Sequence, residues 1–529
     1  MKIVLLSVFS ACRNLPTSLY RSTFKRGVAL AAALCTGACA VGPDYHKPPV
    51  QIPESFKEGA DWHRAQANPQ ASLSSDWWRM YHDDKLTQLI EESQKANQSI
   101  AAAEAAYRLA LAIVQANTAA LFPVIGAELS GTRSGTPASA GGRLAGTSGS
   151  SATGSSIPGV SNNFIAGVSA SWELDLWGAI RRQIEAAKGT AEATDAQLAG
   201  QRLSIAASVA IDYFELRQAD IDIQLLKQQQ DIDNRILDMT RAAFTQGAAS
   251  NDQLLFAQDT LEVVIADLQT TETVREQDEH AIAVLIGVPP ANFTLPADPS
   301  YAFVLPEIPQ GLPSELLERR YDVVSAERTA ASANAQIGVA TAAFFPTVTL
   351  SAQGGFQHNT FANLFSLPNR FWTLGPTLAE TIFDGGARTA AVREARATYD
   401  QDVATYRNTV LTAFQTVEDS MSSVNHLRQQ AQAFSNILER NQQLFASERA
   451  QFQFGAVSEQ DLLTEQLTLL LAEQNLSDTQ AILTQSSVSL IKNLGGGWTS
   501  DDVGASAAAG SGAPPGPTSN PQQTSTPPQ

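Results

Sequence analysis

The placement of proline constrains this chain of 529 residues more than any other feature. Although it has 25 prolines, four tracts contain none: 70–122, 159–288, 314–345 and 377–513. Proline inside a helix costs about 3 kcal/mol, so proline-free tracts of this length predict very long helices. Their composition, rich in Ala, Gln, Leu, Glu and Arg, agrees. Leu462, Leu469, Leu476, Leu483 and Leu490 recur every seven residues, the spacing of a coiled-coil seam. Leu254, Leu261, Leu268 and Ile282 keep that spacing, with Arg275 filling the one gap. A soluble coiled coil would show the same seam, so this pattern predicts helices without placing them.

The chain is also duplicated. Arg241-Ala-Ala-Phe-Thr-Gln-Gly247-Ala-Ala-Ser250 matches Arg449-Ala-Gln-Phe-Gln-Phe-Gly455-Ala-Val-Ser458 at an offset of 208. Gly287 falls on Gly495 at the same offset, and Trp177-Gly178 on Gly385-Gly386. Upstream, Ala119-Ala-Leu-Phe-Pro123 matches Ala342-Ala-Phe-Phe-Pro346 at an offset of 223. The change in offset lies across the Gly/Ser/Ala-rich stretch 131–161, so the first repeat carries a longer loop there.

Between the helical tracts the period changes to two. Phe164, Ala166, Val168, Ala170, Trp172 and Leu174 alternate with Ile165, Gly167, Ser169, Ser171 and Glu173. Val348, Leu350 and Ala352 alternate with Thr and Ser, and Trp372, Leu374 and Leu378 with Thr and Gly. With 124–131, this predicts four strands per chain, at about 124–131, 163–174, 347–356 and 371–382. Each is close to the length that crosses a bilayer when tilted, with one apolar and one Ser/Thr/Gln face. Four strands cannot close a barrel alone, so the chain must associate to cover its strand edges.

The N-terminus reads as a targeting segment. Lys25-Arg26 precedes an apolar run of small residues that ends at Cys39, which fits a secretory signal over 1–38. Small residues directly before a cysteine suggest a bacterial lipoprotein signal, with Cys39 carrying the lipid. Cys12 and Cys35 are the other thiols, so the mature body has no cysteine for a disulfide framework, a structural Cys zinc site or a nucleophile. The formal charge is -18; without the first 38 residues, 30 basic face 53 acidic residues. Such acidity repels phosphates, so no nucleic-acid partner is expected. No unbroken apolar run reaches 18 residues, so no transmembrane helix is expected.

Several motifs, in order, resemble the outer-membrane efflux proteins of the TolC and OprM-like family, in its NodT-type lipoprotein branch. They are Cys39-Ala-Val-Gly-Pro-Asp-Tyr45, Trp172-Glu-Leu-Asp-Leu-Trp-Gly178, 312–327 around Arg319-Arg-Tyr-Asp322, and Ile337-Gly-Val-Ala-Thr-Ala-Ala-Phe-Phe-Pro346. Tyr321 stands where the family usually has proline. The resemblance covers roughly 39–498. It implies a mainly α fold with a membrane β-barrel part: a long helical α-barrel plus a trimeric, twelve-stranded barrel with four strands per chain. The domains would be a first repeat to 300, a second over 301–495 and a Gly/Ser/Pro-rich disordered tail over 496–529. It further implies an outer-membrane exit duct for small molecules, anchored in outer-membrane lipid. A homotrimer would be joined by a periplasmic adaptor to an inner-membrane transporter. A duct for secreted proteins, or a lipid-anchored periplasmic coiled-coil scaffold, are the alternatives.

The candidate sites lie at two helix turns. Gly247 and Gly455 are placed to end long helices, with Ser250 and Ser458 capping the next. By resemblance, these turns form a periplasmic tip where adaptors dock and helices pinch the duct shut. Asp461 matches a gate-lining aspartate of one relative; Thr464 stands where another acid is common, and Gln253 is the first-repeat equivalent of Asp461. An exposed helix acid favoured by the dipole is the plainer account of Asp461. No enzyme is expected: His46, His63, His82, His280, His358 and His426 are dispersed without metal-ligand spacing, and no cofactor fingerprint occurs.

Overall fold

The computed structural model describes residues 40–53, 56–57, 76–135, 160–306, 308 and 320–496. Cys39, the signal segment and residues 497–529 lie outside the described residues. The chain divides into two compact units: one built on 111–188 and 331–400 with the segment up to His46, the other on 47–110, 189–330 and 401 onward.

The elements repeat with matched lengths. Helices α1 (Asp84–Ala96) and α2 (Gln98–Ala119) precede strands β1 (Val124–Gly135) and β2 (Val160–Glu173). Then come α3 (Ala179–Thr245), of 67 residues, and α4 (Asn251–Leu285), of 35. The second repeat gives α5 (Tyr321–Ala342), β3 (Thr347–His358), β4 (Arg370–Ala379), α6 (Ala387–Gln453) and α7 (Glu459–Asn493). Helix α6 again has 67 residues and α7 again 35. At 1.5 Å per residue, a 67-residue helix is about 100 Å long.

In the first unit the strands form one antiparallel sheet in the order β1-β2-β3-β4. Strand β1 runs four residues past the expected end, because Thr132 to Gly135 stay paired with Asn163 to Val160. These residues are polar, so hydrophobic alternation could not reveal them. Strand β4 stops at Ala379 rather than 382. There Arg388 ties the chain into a turn, bonding Asp384 (2.7 Å), Glu380 (3.2 Å) and the carbonyl of Thr381 (2.6 Å). Arg181 does the same after β2, through Asp175 at 3.1 Å. Trp177 stacks on Phe345 and donates to the carbonyl of Pro346 at 2.7 Å, so the two repeat motifs meet.

The second unit is a helical core with Trp77, Tyr81, Tyr213 and Phe214 nearly fully buried. Asp83 caps α1 with one carboxylate oxygen and accepts from Tyr213 and Tyr301 with the other, at 2.8 and 3.0 Å. Asp220, its side chain fully buried, accepts from Arg217, Arg275 and the backbone of Asp298. That network pins the 295–298 segment to α3 and α4. Arg320 and Tyr321, from the motif at 312–327, have separate tasks. Arg320 forks onto Asp322 and donates to Thr416 and the carbonyl of Asn493, near the end of α7. The ring of Tyr321 fills the space at Gly200, where a Cβ would lie 2.1 Å from it.

One expectation needs correction in part. Leucines 462, 469 and 476 are only half-buried, whereas Leu463 and Leu470 are buried against Leu225 and Ile232 of α3. The heptad reading holds in the second half of α7, where Leu483 and Leu490 are buried, but sets the buried stripe one residue early in the first half, because a helix with a neighbour to one side buries a broad face. Helix α2 is long and apolar enough, by length and composition, to cross a membrane. It is not an unbroken apolar run, because Glu104 and Arg108 interrupt it. Glu104 pairs with Arg202 of α3 at 2.7 Å, a contact suited to helix packing in water.

Candidate functional site

The sheet register sorts the strand residues onto two chemically opposite faces. Ile125, Leu129, Val168, Trp172, Leu350, Leu374 and Leu378 share one face, because Leu129 pairs with Ala166, Trp172 with Leu350 and Ala352 with Leu374. Ser130, Ser169, Ser171, Thr349, Ser351, Gln353, Thr373 and Thr377 share the other. The apolar face is largely uncovered: Ile125, Leu129 and Trp372 are 70%, 72% and 79% exposed. A sheet this apolar and this bare needs lipid on that face. Both outer strands, β1 and β4, have unpaired edges among the described residues.

The helix turns have a shared geometry. Gly247 and Gly455 adopt left-handed φ values of 74° and 71°, with open space where a Cβ would stand. The amide of Ala248 reaches the carbonyl of Ala243 (2.8 Å) and that of Ala456 reaches Gln451 (2.9 Å), the 6→1 bond of a Schellman cap. Ser250 and Ser458 then cap α4 and α7, each in a reciprocal capping box whose other member is Gln253 or Asp461. The Asp461 carboxylate accepts from the Ser458 hydroxyl at 2.6 Å and from its amide at 3.1 Å. These bonds hold its pKa below the ordinary aspartate value. Mutual repulsion among copies would have to work against them. Thr464 is exposed and donates back to the carbonyl of Gln460 at 2.8 Å. The structure thus places Asp461 and Gln253 at equivalent capping positions; Thr464 lies one turn beyond Asp461. Arg235 of α3 forms an ion pair with Glu459 at the start of α7. Phe454 and Phe256, near the turns, are 89% and 75% exposed.

Sequence reasoning missed two groups. The segment following Cys39 is strapped down: Val41 donates to Trp177 at 3.0 Å, and buried Arg182 donates to Asp44 at 2.7 Å. Gly42 and Gly338 touch so closely that a Cβ on Gly42 would fall 2.4 Å from the Gly338 backbone. The second group is a set of half-buried acids between helices. Burial, then Asp478, pushes Asp222 up to about 7, while burial, then Glu215 and Asp212, pushes Asp278 up to about 7. Acids interspersed with the apolar positions of α3 were the available signal.

A duplicated pair of long helices and an open sheet with one bare apolar face are the parts of an outer-membrane channel protomer. The sequence matches the outer membrane efflux protein family over residues 89–288 and 312–496, and the chain belongs to that family. It is 30% identical over 472 residues to the toluene efflux pump outer membrane protein TtgC of Pseudomonas putida, covering 88% of this chain and 94% of that one. It is also 30% identical to the pyoverdine export outer membrane protein OpmQ of Pseudomonas aeruginosa, covering 90% and 97%. The solved structure of the outer-membrane channel OprN superposes with a TM-score of 0.74 at 28% identity, over 87% of this chain and all of that one. Its family is one of channels and not an enzyme class. Among the described residues no cluster of His, Cys, Asp or Glu has the arrangement to hold a metal.

Proposed function

We propose that this protein is the outer-membrane exit duct of a tripartite efflux system. Three copies join β1 to β4 edges into a twelve-stranded barrel, and the helices form the periplasmic conduit. The observation that carries this reading is the open four-stranded sheet, one face apolar and bare, with both edges unpaired among the described residues. In lipid such edges cost several kcal/mol per unsatisfied group, so only closure with further strands is stable. A periplasmic adaptor and an inner-membrane transporter complete the pump. The cargo is a class of small organic molecules, supported by relatives named for toluene and pyoverdine. Those names favour efflux over protein secretion, and the lipid-facing sheet favours a duct over a periplasmic scaffold.

Cys39 is the lipid anchor in this reading, and the strap from Ala40 to Asp44 supports it by fixing the chain just beyond the anchor next to the strand-to-helix turn at Trp177. The turns at Gly247–Ser250 and Gly455–Ser458 dock the adaptor, with exposed Phe454 and Phe256 available for contact. Asp461, with Gln253 and Thr464, lines the periplasmic gate. Detergent-solubilised protein is expected to size as a stable trimer, and deleting the gene to sensitise its host to organic toxicants. A stable monomer together with unchanged susceptibility would refute the duct. Intact mass showing an unmodified Cys39 would refute the anchor alone.

A further inference from the structure

The polar face of the sheet is almost free of charge, and what charge it has is of one sign. Among the described strand residues, that face carries mainly Ser, Thr, Asn, Gln and Gly, with Val124, Ile165, Phe371 and Ala379 interspersed, and Glu128 in β1 and Glu173 at the end of β2. It holds no Lys or Arg; Arg133 and Arg370 fall on the apolar face by register. Glu128 pairs across the ladder with Gly167, which has no side chain to screen it, and the two flanking rows on that face supply Gly126 with Ser169 and Ser130 with Ile165, none of them charged. It is exposed, and no ion pair is found for it among the described residues. Glu173 lies six residues along β2 from that row, roughly 20 Å at the rise of a strand.

We propose that Glu128 makes the transmembrane part of the duct prefer cations, forming with its two symmetry copies a ring of carboxylates on the lumen wall. This rests on the trimeric-barrel reading above, which turns the polar face inward. A twelve-stranded lumen has a radius on the order of the ~10 Å Debye length at 0.1 M salt, so wall charges reach ions near the axis only at moderate or low ionic strength. Glu173, the last residue of β2, adds a second ring at that end of the barrel. The selectivity built here is separate from any at Asp461, which belongs to the other unit of the chain.

The test is reversal potential across planar bilayers holding the purified full-length trimer, under a KCl gradient centred near about 0.1 M. It is done in an Asp461→Asn background to silence the proposed gate acids. Glu128→Gln is expected to lower the potassium-to-chloride permeability ratio roughly two- to threefold, and Glu128→Lys to turn the preference toward chloride. Both effects should vanish near ~1 M salt, where the Debye length is about 3 Å. Ser130→Lys, one row away on the same face, should also depress the ratio. Channels of normal conductance whose ratio ignores Glu128→Gln and Glu128→Lys, while responding to Ser130→Lys, overturn the role of Glu128. Indifference to all three shows that this face does not line the current path. A wild-type protein that forms no trimer and no channels fails the duct reading itself.

Discussion

Replacing Asp222 with Asn should stabilise the contact between α3 and α7 at alkaline pH and leave it unchanged in acid. Asp222 lies between the helices with Asp478 opposite and one oxygen buried without a partner. Gln218 bridges the pair, donating to Asp478 at 2.6 Å and accepting from Ser477 at 2.8 Å. Burial, then Asp478, raises Asp222 from 3.8 to about 7, with Gln218 and Gln474 lowering it in part. In an unfolded chain the acid keeps its ordinary value, so between pH ~4 and ~7 the folded state holds the extra proton. Stability is therefore fully present below pH ~4 and is lost as pH rises through about 7. The full shift corresponds to about 4 kcal/mol; because the group is only half-buried, screening by water reduces this to about 2 kcal/mol. Hydrogen exchange on residues 218–226 and 474–481 reads this local opening directly. At pH 8, after correction for intrinsic exchange, Asp222→Asn should raise protection about 30-fold; at pH 4 it should not. A variant less protected than wild type at pH 8, or a gain independent of pH, would refute the charge argument.

Three further outcomes follow from other contacts. Gly455→Ala should cost only about 1 kcal/mol, from its left-handed φ alone, whereas Gly200→Ala must displace the Tyr321 ring and should cost about 1–3 kcal/mol; paired thermal melts in detergent check the order. Arg320→Lys cannot reproduce the fork onto Asp322 together with the bonds to Thr416 and Asn493, and should destabilise by about 2 kcal/mol in the same melts. Asp461→Asn should weaken divalent-cation block of conductance with at most a modest rise in conductance, while Gln253→Ala changes block less; unchanged block in an intact trimer would leave Asp461 as a helix cap only.

The long helices and their duplication were legible because each leaves a local mark in the sequence. Proline is excluded from helix interiors wherever it falls, and a glycine that needs φ near 70° marks a helix end from sequence alone, as at Gly247 and Gly455. Strand alternation was equally readable, since side chains in a strand alternate faces by geometry. What the sequence could not supply was pairing. The Arg388 and Arg181 clamps that end β4 and start α3, the strap of Val41 on Trp177, and the seating of Tyr321 at Gly200 all join residues far apart in the chain or in its turns. The role of Asp461 shows the same limit. Its position after Gly455 was readable, but its carboxylate bonding to Ser458 was decided by the fold of the turn. Likewise the heptad of α7 gave a period and the buried Leu483 and Leu490, while the shift to Leu463 and Leu470 in its first half was set by the neighbour at Leu225 and Ile232. Local propensity and periodicity are properties of one segment; burial, register and charge environment belong to pairs of segments, and only the tertiary structure brings those pairs together.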